Sequence, residues 1–104
     1  MDAPTYNQEL DAYLSSTGVV DATLYAKLAE AYAYDAASSV GWVEAKLRIL
    51  AARVKRGDLV TLYEPTTQQA TAATSEGAFV VWVKKHFPGA RLDPRQPNNR
   101  WSGP

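Results

Sequence analysis

The run from about Val40 to Arg56 constrains this chain more than any other, because Val43, Leu47, Leu50 and Val54 recur at i, i+4, i+7 and i+11. That spacing makes one face of an α-helix apolar, and a strand with its two-residue period cannot reproduce it. Lys55 and Arg56 suit the negative end of the helix dipole, and Gly57 suits the left-handed residue just past a helix end. A helix striped in this way is stable only when other elements cover the stripe.

The preceding sequence supplies such elements. Tyr6, Leu10, Tyr13 and Leu14 share one face of a helix expected over about Tyr6 to Ser15, with Thr5 and Gln8 in a capping-box pattern and Gly18 as a stop. Asp21 suits an N-cap for a second helix, whose stripe of Leu24, Tyr25, Leu28, Ala31 and Tyr32 runs out near Ser38, Ser39 and Gly41. Its many alanines permit close helix approach. Asp35 returns to the apolar side of this helix, where an uncompensated charge is costly. The expectation is a fraying helix end at which Asp35 reaches solvent or a structural arginine.

After Gly57 the pattern is weaker. Leu59 to Tyr63 is β-prone and ends at Glu64 and Pro65, as a short strand or an extended connection does. Residues 66–75 are almost entirely Thr, Gln and Ala, and read as a loop or the frayed start of a helix. Ala78 to Phe87 is rich in Val and aromatic residues, yet Val80, Val83 and Phe87 form a helical stripe with Lys84, Lys85 and His86 at its C-terminal end; helix is the reading preferred over strand. Pro88 and Gly89 end it. The last fifteen residues hold Pro94, Pro97 and Pro104, three arginines and Trp101, which favours an extended arm. A chain of 104 residues, 46% hydrophobic, encloses one modest core. The expected fold is therefore mainly α, a small bundle of about four helices with a short β segment at 59–63, a single domain over 1–89 and an arm over 90–104.

Chemistry is sparse. With no cysteine, disulfides, thiol nucleophiles and thiolate metal sites are excluded. The one histidine, His86, sits between Lys85 and Phe87 with no nucleophile nearby in sequence, and reads as a helix-terminal surface residue. Neither a zinc quartet nor a calcium loop is present, and no Gly-rich phosphate loop occurs. No catalytic residue, metal, cofactor or small-molecule substrate is expected; a pair of acids converging in space is the one enzymatic arrangement that sequence leaves open. The longest apolar run, Ala78 to Val83, is far short of a bilayer span, and Met1 to Gln8 lacks the basic start and apolar run of a secretory signal. The expected location is cytoplasmic, including the host cytoplasm or a virion.

The charge is balanced overall but divided along the chain. Up to Glu44 there are seven acids against Lys27 alone; from Ala45 onward ten bases oppose four acids. Such division serves attraction between copies or toward an anionic partner, or it is neutralised when folding joins the halves. On the third helix Trp42, Lys46, Ile49, Arg53 and Arg56 form a second stripe beside the apolar one, an aromatic and an aliphatic residue among bases. It is read as a contact face for DNA or for an acidic protein surface, or else as core aromatics with a solvated basic rim. Arg95, Arg100 and Trp101 of the arm join it as candidate contacts, and Tyr25, Tyr32 and Tyr34 offer a surface for self-association.

The order of features, Asp21 opening a helix that reads LYAKLAEAYAYDAA, a basic helix ending at Gly57, the LVTLY segment, a further helix and LDPR at Leu92 to Arg95, resembles one family of tailed-phage terminase small subunits. The arginine here follows the proline directly, and the turn lacks the His-Pro usual in that family. The resemblance implies a helical, ring-forming protein that binds viral DNA and stimulates a separate ATPase motor. The function expected is a non-enzymatic, self-associating module of the DNA-packaging type that contacts DNA or a motor partner. The alternative is a protein-binding module, such as a virion joining or decoration protein or an inhibitor of a host factor. A small enzyme is the third class.

Overall fold

The computed structural model describes residues 3–38, 41–93 and 95. Their order is α1 (Ala3–Thr17), β1 (Val19–Val20), α2 (Ala22–Ser38), α3 (Trp42–Lys55), β2 (Thr61–Glu64), β3 (Gln69–Ala72) and α4 (Glu76–His86). The mainly α class and the four expected helices are present. Helix α3 lies among the others and packs against α1, α2 and α4.

The helical stripes do what their spacing requires. Leu10 and Leu14 of α1, Leu24, Leu28 and Ala31 of α2, and Val43, Leu47 and Leu50 of α3 are all buried in one core. Each fully buried leucine contributes about 1.5–3 kcal/mol of transfer free energy, which drives the helices together on this face of α3. Phe79, Trp82 and Val83 of α4, with Phe87 just past its end, close the core. Helix was thus the right reading of residues 78–87, and Ser75 opens it by accepting a hydrogen bond from Ala78 N at 3.0 Å.

Asp21 caps α2, its Oδ1 accepting from Leu24 N at 2.9 Å. Helix α1 begins earlier than the Thr5–Gln8 pattern suggests, at Ala3. It ends where expected, at Gly18, whose φ of 65° belongs to the left-handed region. A Cβ on Gly18 would lie 2.5 Å from Arg53 Nε and 2.8 Å from the Leu59 carbonyl, so glycine is required by space as well as by conformation. The turn delivers Val19 and Val20 parallel to Thr61 and Leu62.

The strand at 59–63 is real but shifted, and it has two partners. β2 pairs with β1 on one side and runs antiparallel to β3 on the other, in the order β1-β2-β3. The reading of residues 66–75 as loop or helix start is therefore corrected for Gln69–Ala72. All four β3 residues are exposed, so the strand is held by its backbone ladder and leaves no alternation of apolar side chains to detect. Of the expected arm, Ala90 and Leu92 lie half-buried against the core. Residues 94 and 96–104 lie outside the described residues.

Asp35 departs most from expectation. Its side chain is fully buried, and its two oxygens accept from Trp42 N and Val43 N, each at 2.8 Å. The residue before α3, Gly41, has no side chain to cap the helix, so the carboxylate of α2 satisfies those first amides and places negative charge at the positive end of the dipole. Asp35→Ala should cost about 2–3 kcal/mol in urea unfolding, and Asp35→Asn a comparable amount, because its NH2 group would face one of the two backbone N–H donors. A loss below about 0.5 kcal/mol for Asp35→Ala would show that the carboxylate does not cap α3.

Candidate functional site

The basic stripe expected on α3 turns largely inward. Lys46 is fully buried and its Nζ lies 3.1 Å from Asp11 Oδ1 of α1. Seven residues on, half-buried Arg53 donates from Nη1 to the Ser15 carbonyl at the C-terminal end of α1, where a cation is favoured. Ile49 between them is half-buried against the core. This face of α3 therefore meets α1. Trp42 is half-buried and stacks on Tyr34 of α2, with ring centroids 4.4 Å apart and planes 5° from parallel. Arg56 stays exposed, with Asp58 Oδ2 at 2.9 Å. Arg95 lies elsewhere, paired with Asp93 at 3.0 Å. Arg100 and Trp101 are outside the described residues, so the structure brings together only part of the expected set.

Folding also joins the two halves of the charge pattern. Besides the Asp11–Lys46 pair, buried Glu44 lies 3.8 Å from Arg48 and 3.4 Å from Arg91, and it accepts a hydrogen bond from the Arg91 backbone N–H. That contact fixes the chain just beyond α4. Glu44 and Arg48 stand at i, i+4 on α3, a spacing that suits a surface pair, but the acid is interior.

His86 is not a surface residue, since its side chain is 8% exposed. Nδ1 lies 3.3 Å from the Tyr25 hydroxyl and Nε2 2.9 Å from Glu64 Oε2. The arrangement that satisfies all three groups has Nε2–H donating to the carboxylate and the tyrosine hydroxyl donating to Nδ1. Trp82, Tyr63 and Phe87 surround the Tyr25 ring at centroid distances of 5.8–6.3 Å, and the Trp82 indole N–H donates to the Tyr63 carbonyl. The His86 hydrogen bond is the first cause holding the Glu64 carboxyl down to about 2, with Thr66 adding to it. Burial, and then the negative Glu64, push the Tyr25 phenol up. With both ring nitrogens engaged, this Tyr–His–Glu set works as a clasp joining α2, β2 and α4.

The open site lies on the other side of α4. A cleft of about 640 Å³ runs between α3, α4 and the segment after α4. Ala51, Phe79, Val80, Val83, Ala90 and Leu92 give it an apolar floor. Four bases (Arg48, Lys55, Lys84, Arg95) and two acids (Glu76, Asp93) rim it. Arg95 and Asp93 face each other, and that pairing holds the Asp93 carboxyl below its ordinary range. Lys55 and Lys84 are exposed and form no ion pair among the described residues. The Nε and Nη2 atoms of Arg48 are buried with no hydrogen-bond acceptor. The exposed Lys55 and Lys84 thus present ammonium donors above an apolar surface. Sequence held a sign of it: Arg48, Ala51, Ala52 and Lys55 stand at i, i+3, i+4 and i+7 on α3, a face of small residues flanked by bases.

Among the described residues no group of three or more His, Asp or Glu side chains is placed to hold a metal ion, and no helix is long and apolar enough to cross a membrane. No protein-family model, no curated protein and no solved structure matches this chain.

The Glu64 contacts fix a pH dependence. Folding lowers the carboxyl pKa from 4.5 to about 2, so its contribution is present above about 4.5 and is lost as the pH falls toward about 2. Glu64→Gln should lower the melting temperature at neutral pH, and the gap to the parent chain should close across that acid window. A gap constant with pH would show that the ionised carboxylate is not what holds the clasp.

Proposed function

We propose that this chain is a non-enzymatic, self-associating binding module whose α3–α4 cleft seats an acidic segment of a protein partner. The observation that carries the proposal is the pairing of exposed Lys55 and Lys84, free of acids among the described residues, with an apolar floor of Phe79, Val80, Val83 and Leu92. A peptide helix or strand bearing carboxylates and one or two aliphatic anchors complements both features, with anchors supplying affinity and charges supplying orientation and encounter rate. The terminase resemblance supplies the setting: phage DNA packaging, in the host cytoplasm or virion, with the motor subunit as the partner.

Direct DNA contact is a second reading, favoured by the exposed Arg56, Lys55 and Lys84. Phosphate contacts need only charge, so the apolar floor is left without a purpose on this reading. The virion joining or decoration role, or inhibition of a host factor, uses the same cleft with a different protein.

The test measures native mass by light scattering and titrates two probes across a salt series: an acidic peptide carrying leucine anchors, and a duplex DNA fragment. The expected result is an oligomer that binds the peptide more tightly than the DNA, with the Lys55→Glu/Lys84→Glu double variant losing about tenfold or more in peptide affinity. Tight, steeply salt-dependent DNA binding with no peptide binding would replace the protein-partner reading by the DNA one. A monomer that binds neither would end both.

A further inference from the structure

The self-association proposed above needs an interface, and the sheet ends in one. β3 is an edge strand with all four residues exposed. Its ladder with β2 pairs Thr61 with Ala72, Leu62 with Thr71, Tyr63 with Ala70 and Glu64 with Gln69. Just beyond it, Ala73 N donates to the Val60 carbonyl at 2.8 Å. Antiparallel pairs alternate between hydrogen-bonded and open, so residues 69, 71 and 73 turn their N–H and C=O toward β2. Ala70 and Ala72 therefore turn theirs outward, and among the described residues no strand pairs with that side.

Edges of this kind are normally guarded by a charge, a proline or a bulge. Here residues 66–75 carry no charged side chain and no proline, and Pro65 lies in the turn rather than on the strand. The side chains at the edge are Gln69, Ala70, Thr71 and Ala72, small or neutral. We infer that β3 pairs antiparallel with β3 of a second copy about a two-fold axis at Thr71, giving a continuous six-stranded sheet. In that register the peptide groups of Ala70 meet those of the partner's Ala72 and the reverse, so the outward N–H and C=O groups of both copies are satisfied together. Thr71 faces the partner's Thr71 in an open pair, where a charged residue would face its own like charge. An isologous contact requires the strand to complement itself, and an uncharged, small-residue strand with two outward peptide groups set symmetrically about its centre does so.

This inference rests on the self-association reading, and the test separates the two. The chain has no cysteine, so a single introduced thiol reports one contact only. Across an open antiparallel pair the Cα atoms stand about 4.5 Å apart, within the range a disulfide spans. Thr71→Cys should form a disulfide-linked dimer under mild oxidation at least about tenfold faster than Ala70→Cys, whose side chain lies on the opposite face, opposite the partner's Ala72. Ala72→Pro removes one outward N–H and leaves the β2 ladder intact, so it should halve the native mass with the helical circular dichroism unchanged. If Ala72→Pro disturbs folding, the cysteine pair still decides.

A parent chain that is monomeric at all concentrations overturns self-association and this interface together. An oligomer that survives Ala72→Pro, with Thr71→Cys linking no faster than Ala70→Cys, overturns the β3 interface alone and leaves self-association standing. A monomer whose edge instead takes up an unrelated Thr/Val-rich strand peptide overturns the second copy as the occupant of the edge.

Discussion

The helical bundle depends on charge carried to the ends and flanks of α3. The Asp35 carboxylate of α2 at its N-terminus, the Glu44 carboxylate toward the segment after α4, and the Lys46 ammonium and Arg53 guanidinium, both toward α1, join α3 to three other parts of the fold. Apolar stripes alone would let the helices slide by a turn with small loss, because Leu and Val are forgiving of register. Buried ionic groups are not forgiving, since a shift of one turn strands a charge away from water. The apolar face drives assembly, and these contacts select one arrangement from those it permits.

Much of this was legible in the sequence. The stripes of α1, α2 and α3, the Asp21 cap and the stops at Gly18 and Gly57 follow from spacing and backbone geometry, which are local properties. The fate of the charges was not legible, because it depends on which helix lies beside which. Trp42, Lys46, Ile49 and Arg53 make a credible surface stripe until α1 engages Lys46 and Arg53, the core takes Ile49 and Tyr34 of α2 stacks on Trp42. Asp35 looked anomalous on an apolar face, which was the correct signal; its resolution required knowing that α3 starts beside it with a glycine that cannot cap.

Two further features were hidden for different reasons. β3 has no apolar alternation, so only the ladder to β2 marks it as a strand. His86 appeared isolated because Glu64 and Tyr25 lie 22 and 61 residues away. The cleft sits between these cases: the Arg48, Ala51, Ala52 and Lys55 face was visible on α3, while its closure by Phe79, Val80 and Val83 needed the fold.

The clasp and the cleft occupy different faces of one short helix, and that has a mechanical consequence. His86 cannot turn without giving up contacts to two separate elements, while Trp82 one turn earlier is anchored through its indole to the hairpin. α4 is thereby denied rotation about its own axis, which also fixes the wall of Val80, Val83 and Lys84 on the far side. For the docking proposed at this cleft, the entropy surrendered would therefore fall on the exposed Lys55 and Lys84 side chains rather than on the helix that carries the wall.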